Sequence, residues 1–215
     1  VSVPAGVVIS AKDDESLKTL SLPLIIKPAN EDNSIGLSLA NTEEELVKGI
    51  DEALEVDNKV IVEQFIPPGK EIRVGLIENL DGTLQTLPMY EYFVSDSDPI
   101  RTMAHKYTDL DKNGEIFLAT GQRQCPADLT DEVVAELNRQ ATLAHKPLKC
   151  RDFSLFDFRV DPEGKVFFLE ACSYCSFSPR CVLMSQSDLS SLKCPVFFDN
   201  MIELARKRKW SPPSC

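Results

Sequence analysis

The stretch Leu155–Ala171, LFDFRVDPEGKVFFLEA, restricts the fold more than any other part of this chain. Two aromatic or β-branched runs flank Asp161–Pro162–Glu163–Gly164, where proline presets φ and glycine tolerates a left-handed turn. That combination predicts a β-hairpin. Alternate strand residues share a face, so Leu155, Asp157 and Arg159 are expected on one side and Phe156, Phe158 and Val160 on the other. On the returning strand, Val166, Phe168 and Glu170 are expected to share a face. Paired across the turn, Asp157 and Glu170 come within reach of each other. Close carboxylates repel, and burying either one is costly without a cation. A Mg²⁺ held by both, and by substrate phosphates, would resolve that conflict. The plainer alternative is two solvated carboxylates on an exposed sheet face.

Upstream, LPLIIKPAN (22–30) reads as a buried strand ended by Pro28, with Lys27 placed just before the polar loop NEDNSIG (30–36). A small polar loop can cradle phosphates with its backbone N–H groups, although one glycine is a weak signal for it. NTEEELVKGIDEAL is expected to be helical, with Thr42 and Glu45 at capping-box spacing and Leu46, Ile50, Ala53 and Leu54 on one face. KVIVEQFI is a strand stopped at Pro67–Pro68–Gly69, and EIRVGLIE pairs across Asp81–Gly82 with TLQTLPMYEY. Residues 94–124 are polar and irregular, as a lid or a disordered segment would be. DEVVAELNRQATLAHK is a second amphipathic helix, and a last helix runs from about Pro195 to Lys209. Strands joined mostly as hairpins, with interspersed helices, indicate an α+β fold. Two lobes are expected, with a hinge near 63–68.

A net charge of −11 with dispersed basic residues argues against nucleic acid or an anionic membrane as the main partner. The one basic cluster, Ala205–Trp210, suits a helix C-terminus. No apolar run approaches the ~20 residues of a membrane span. Seven cysteines without a small-domain framework favour reduced thiols and a cytoplasmic setting. Cys172 and Cys175 form one CxxC, a weak zinc or redox signal with only His105 and His145 in the chain.

Taken in order, IIKPANEDNSIGLS, VIVEQFIPPGKE, HKYTD, QCPADLTDE and FDFRVDPEGKVFFLEA resemble the ATP-grasp superfamily, and within it the D-alanine–D-alanine ligase branch. The blocks cover about residues 3–184. The resemblance implies two α+β lobes with antiparallel sheets clasping ATP, a small central lobe over 1–63 and a large lobe over 64–215. It implies a ligase that forms an acyl phosphate and then an amide from amino-acid-like substrates, with ATP and Mg²⁺ as cofactors. By the same resemblance Lys27 and Lys106 contact phosphates, and the loop carrying Asn33 and Ser34 closes over them. Glu63, Gln64 and Ile66 line the adenine pocket, Glu71 holds the ribose, Tyr107 latches the lid, and Asp157 and Glu170 are the metal ligands. The family's N-terminal domain would precede Val1, and a homodimer is admitted as a further partner.

Departures cluster on the acceptor side. The family's third metal ligand, an asparagine, is Cys172, and its Pro–Gly is Cys175–Ser176, where the Ser176 N–H would hold the oxyanion. Its arginine two residues before the metal aspartate is Leu155, with Arg159, Arg180 or Arg151 as candidate substitutes. The serine that would grip the acceptor is Cys181. A ligase with altered acceptor specificity is therefore expected, with a degenerate, nucleotide-binding module as the alternative.

Overall fold

The computed structural model describes residues 1–102, 109–110, 116–117, 123–172, 175–179 and 181–208. Short β-branched runs build a first antiparallel sheet from β1 (Gly6–Ile9), β2 (Leu24–Pro28), β3 (Ser38–Ala40) and, after helix α1 (Glu43–Val56), β4 (Val60–Gln64). The order is β1-β4-β2-β3. Helix α1 starts where the sequence says it should: the Thr42 side chain accepts from the Glu45 N–H, and Glu45 reaches back to the cap. Its apolar face, Leu46, Ile50 and Ala53, closes on Leu24, Ile26, Val60 and Val62. Gly49 permits that approach, because a Cβ there would meet Ser38 Oγ at 2.5 Å.

The second sheet collects β5 (Lys70–Glu78), β6 (Leu84–Thr86), β7 (Tyr90–Tyr92), β10 (Arg123–Gln124), β11 (Phe153–Val160) and β12 (Val166–Cys172). Its order is β10-β7-β5-β11-β12, with β6 also on β5. Between them β8 (Asp109–Leu110) and β9 (Ile116–Phe117) pair with each other. Helix α2 (Asp131–His145) covers one face, burying Leu137, Ala141 and Ala144 against Val74, Phe156 and Phe158. Each fully buried phenylalanine contributes about 1.5–3 kcal/mol. Helices α3 (Val182–Asp188) and α4 (Cys194–Lys207) form a separate core through Leu183, Met184 and Phe197, packed on Leu155, Ile77 and Tyr92. The opposite side of β5 and β11 from α2 thus carries apolar side chains at one end and charged ones, Glu71, Arg73, Asp157 and Arg159, at the other.

The α+β class and the hairpins agree with the sequence reading. Strands β1, β3, β8, β9 and β10 and helix α3 were not anticipated, since each is too short to display a period. Residues before β1 run along the second sheet: Phe168 N–H donates to the Ser2 carbonyl at 2.8 Å, and Ser2 N–H to Gln140 Oε1 at 2.9 Å. No helix among the described residues is long and apolar enough to cross a membrane.

Candidate functional site

A β-bulge assembles the site. On β11 and β12, Phe158 pairs with Phe168, but the next pair is Asp157 with Glu170, so Leu169 is the extra residue. The expectation that Val166, Phe168 and Glu170 share a face is therefore corrected. Strict alternation would have left Glu170 beside Phe168, whose ring packs on Phe156 and Phe158 at centroid distances of 5.4 and 5.3 Å. One inserted residue turns the rest of the strand over. Glu170 then hydrogen-bonds within the Asp157 environment, and ligand atoms of Asp157, Glu170 and Cys172 all lie within 4.8 Å of one another. They are the one group of three metal-capable side chains among the described residues. The two carboxylates fit a hard divalent cation, whereas the Cys172 sulfur does not suit Mg²⁺.

Lys27 bridges the two sheets. It projects from β2, pairs with Glu63 Oε1 at 2.7 Å and approaches the Leu169 carbonyl of β12 at 3.5 Å. Around it a pocket of about 690 Å³ is lined by Ser34, Glu63, Gln64, Ile66, Glu71, Asp157, Arg159 and Glu170. Gln64 donates to the Pro23 carbonyl at 3.1 Å, which fixes its side chain on the pocket wall. Most of the residues expected to meet a nucleotide are thus in one place. Asn33 and Ser34 adopt left-handed backbone, with φ of 55° and 63°. Ser34 Oγ donates to the Arg101 carbonyl at 2.7 Å, tying the loop to the segment after β7.

Glu71 is held on both oxygens, by Arg159 Nη2 at 2.9 Å and Arg101 Nη1 at 3.1 Å. Arg101 also stacks over the Tyr92 ring, 3.5 Å from its centroid. Arg159 donates further to the Pro99 carbonyl at 3.1 Å. It belongs to the Glu71 end of the pocket, away from the cysteines. Arg151 lines a different pocket, with His145 and Arg208. Lys106, Tyr107 and Arg180 lie outside the described residues.

A wider cleft of about 2280 Å³ adjoins this pocket and shares Lys27, Ser34, Glu63 and Glu170 with it. Its remaining wall includes Arg73, Leu155, Cys172, Cys175, Ser176 and Cys181. None of the six described cysteines forms a disulfide. Burial pushes the Cys175 thiol up to about 11 and raises that of Cys181, so neither is a thiolate at neutral pH.

Sequence reasoning missed Arg73. It stands opposite Asp157 in the β5–β11 register and donates through Nε and Nη2 to the two carboxylate oxygens, each at 2.5 Å. Burial is the largest single influence on Asp157 and raises it, but the Arg73 charge and hydrogen bonds, the Arg101 charge and the Glu170 hydrogen bond together hold the carboxyl below its usual range. The available signal was the charge at alternate positions, Glu71 and Arg73, in an otherwise apolar strand.

Hairpin, bulged carboxylate pair and lysine strap define an ATP-grasp ligase fold. A family profile described as "D-ala D-ala ligase C-terminus" matches residues 9–203, and the chain belongs to that family. A D-alanine–D-alanine ligase of Desulfotalea psychrophila is 32% identical over 91% of this chain and 57% of its own length. That of Staphylococcus haemolyticus is 30% identical over 88% of this chain and 49% of its own. The chain spans about half the length of the curated relatives it matches. Among solved structures, the D-alanine–D-alanine ligase of Bacillus anthracis superposes with a TM-score of 0.74 at 20% identity, covering 96% of this chain and 62% of that one. The VanG D-Ala:D-Ser ligase of Enterococcus faecalis gives 0.73 at 22% identity, covering 95% and 57%.

Proposed function

We propose that this chain is the ATP-handling part of a carboxylate–amine ligase that works through an acyl phosphate and has an altered acceptor site. The convergence of Lys27, Glu63, Gln64, Glu71, Asp157 and Glu170 on one pocket carries this reading. A carboxylate oxygen of the first substrate attacks the γ-phosphorus of ATP, and the bond to the bridging oxygen breaks with its electron pair leaving on ADP. The amine of the second substrate then attacks the acyl carbon, phosphate departs with the electron pair of the C–O bond, and the surplus amine proton passes to solvent.

Little covalent work falls to the protein in such a transfer, so catalysis is positioning and charge neutralisation. Lys27 presents its ammonium to the phosphates from the first sheet. The 31–36 loop covers them, Ser176 offers a backbone N–H to the developing oxyanion, and Glu71, oriented by Arg101 and Arg159, takes the ribose hydroxyls. Asp157 and Glu170 would hold Mg²⁺, which when bound supplies positive charge to the phosphate oxygens. The lobes divide near 63–64, and an N-terminal domain of the same protein would bind the first amino acid. Free thiols favour a cytoplasmic setting.

A second reading, nucleotide binding without turnover, is favoured by Leu155 and Cys172. The full-length protein with Mg²⁺ and ATP should release phosphate when a suitable amino acid is added. Nucleotide binding with no amino-acid-stimulated phosphate release across all proteinogenic and D-amino acids would leave the second reading in its place.

A further inference from the structure

The wider cleft contains a guanidinium, that of Arg73, which pairs with Asp157 of the adjoining pocket and has no role in the reaction described above. We propose that Arg73 is a catalytic residue, contacting an oxygen of the transferring phosphoryl group from β5, in the place of the arginine expected at Leu155. This rests on the ligase reading above.

Register supplies the first argument. Arg73 faces Asp157 directly, while Leu155, two residues along β11, faces Gly75. Side chains at 73 and 155 therefore lie on the same face as diagonal neighbours, close enough for one long side chain to serve either location. Leu155 is 2% exposed and packs into the α3–α4 core, so it presents no charge. Arg73 instead lines the cleft together with Glu170, Cys172 and Ser176.

Rigidity supplies the second. Two N–H···O bonds to Asp157 fix the fork, Gln186 Nε2 donates to the Arg73 carbonyl at 3.1 Å, and the Tyr92 ring lies 5.5 Å from the guanidinium carbon. A cation held this way needs no reorganisation when charge develops in front of it, which is the condition for electrostatic catalysis. As pure scaffolding, the pair would be a poor choice, because well-packed apolar residues often serve stability as well as a buried ion pair. During transfer, charge spreads over the three equatorial phosphoryl oxygens. Arg73 neutralises one of them while keeping its proton, and bond making and breaking proceed as in the ligase reaction above.

The test uses the full-length protein with ADP alone and with ADP plus aluminium fluoride, a mimic of the transferring phosphoryl group. Wild type is expected to bind the mimic complex about 100-fold more tightly than ADP. Arg73→Leu should keep ADP affinity within about threefold and lose at least about tenfold of the tightening. The relocated variant, Arg73→Leu with Leu155→Arg, should regain it. Arg73→Lys keeps the charge without the fork and should lose part of the tightening, which covers the case of an unfolded leucine variant. Full tightening in Arg73→Leu or Arg73→Lys overturns the proposal, as does an equal loss of ADP and mimic affinity. A wild type that binds no ADP would instead sink the ligase reading, and this proposal with it.

Discussion

The pocket around Lys27 and the cleft beside it differ in what lines them. In the pocket Lys27 pairs with Glu63, and Glu71 with Arg101 and Arg159. In the cleft one wall carries the polar loop 30–34 with Lys27 and Glu63, and the other carries Leu155, Cys172, Cys175 and Cys181 beside the half-buried Arg73. Under the proposed function the first half would meet phosphate and sugar, and the cysteine wall of the second would seat an acceptor other than the standard one. The two halves share Lys27, Ser34, Glu63 and Glu170, and they are joined where Asp157 of the pocket pairs with Arg73 of the cleft.

The largest expected effect comes from breaking that meeting point. Asp157→Ala leaves Arg73 buried without its partner and should cost about 3–5 kcal/mol in urea unfolding. A loss below about 1 kcal/mol would mean that Arg73 relaxes to solvent, as an exposed ion pair does. Inserting one alanine after Leu169 comes next. With the bulge kept, the added residue takes the place opposite Asp157 and Glu170 moves to the Phe156 face, so Mn²⁺ affinity measured by electron paramagnetic resonance should fall about tenfold or more. Unchanged affinity would show that the register at Asp157 does not create the carboxylate pair.

A smaller effect separates the two halves by pH. Asp157 is held below its ordinary range, so its contribution to stability is complete above about pH 4 and is lost as pH falls through its native value. Cys175 behaves in the opposite sense. Burial raises it to about 11, the native state keeps a proton that the unfolded chain sheds from about pH 8.5, and stability declines between those values. Because that thiol is only partly buried, the decline should stay within about 1 kcal/mol. Thermal unfolding of Cys175→Ala from pH 8 to 11 should show a flatter alkaline limb than wild type.

Much of this was legible in the sequence, for identifiable reasons. The Asp161–Gly164 turn and its aromatic flanks announce the hairpin, the Thr42–Glu45 box starts α1 at the right residue, and the placement of Lys27, Glu63 and Glu71 followed from ordered motifs. The bulge was not legible, because Leu169 sits in the continuous apolar run Val166–Leu169 where every residue suits a strand. In the fold Phe168 packs on the core beneath α2, while Leu169 lines the pocket. Arg73 was passed over because a charged residue in a strand ordinarily faces water, and its burial depends on a partner 84 positions away. Arg101 was hidden for a similar reason, since it follows β7 in a polar segment with no periodicity.

Titration calorimetry of Mg²⁺–ATP into the full-length protein tests the division between the halves most directly. Lys27→Met should weaken binding about tenfold, equivalent to about 1.4 kcal/mol, while Cys175→Ala and Cys181→Ala should stay within about twofold of wild type. Cysteine variants that weaken nucleotide binding as much as Lys27→Met would contradict the account, because the cleft and the pocket would then be one site rather than two.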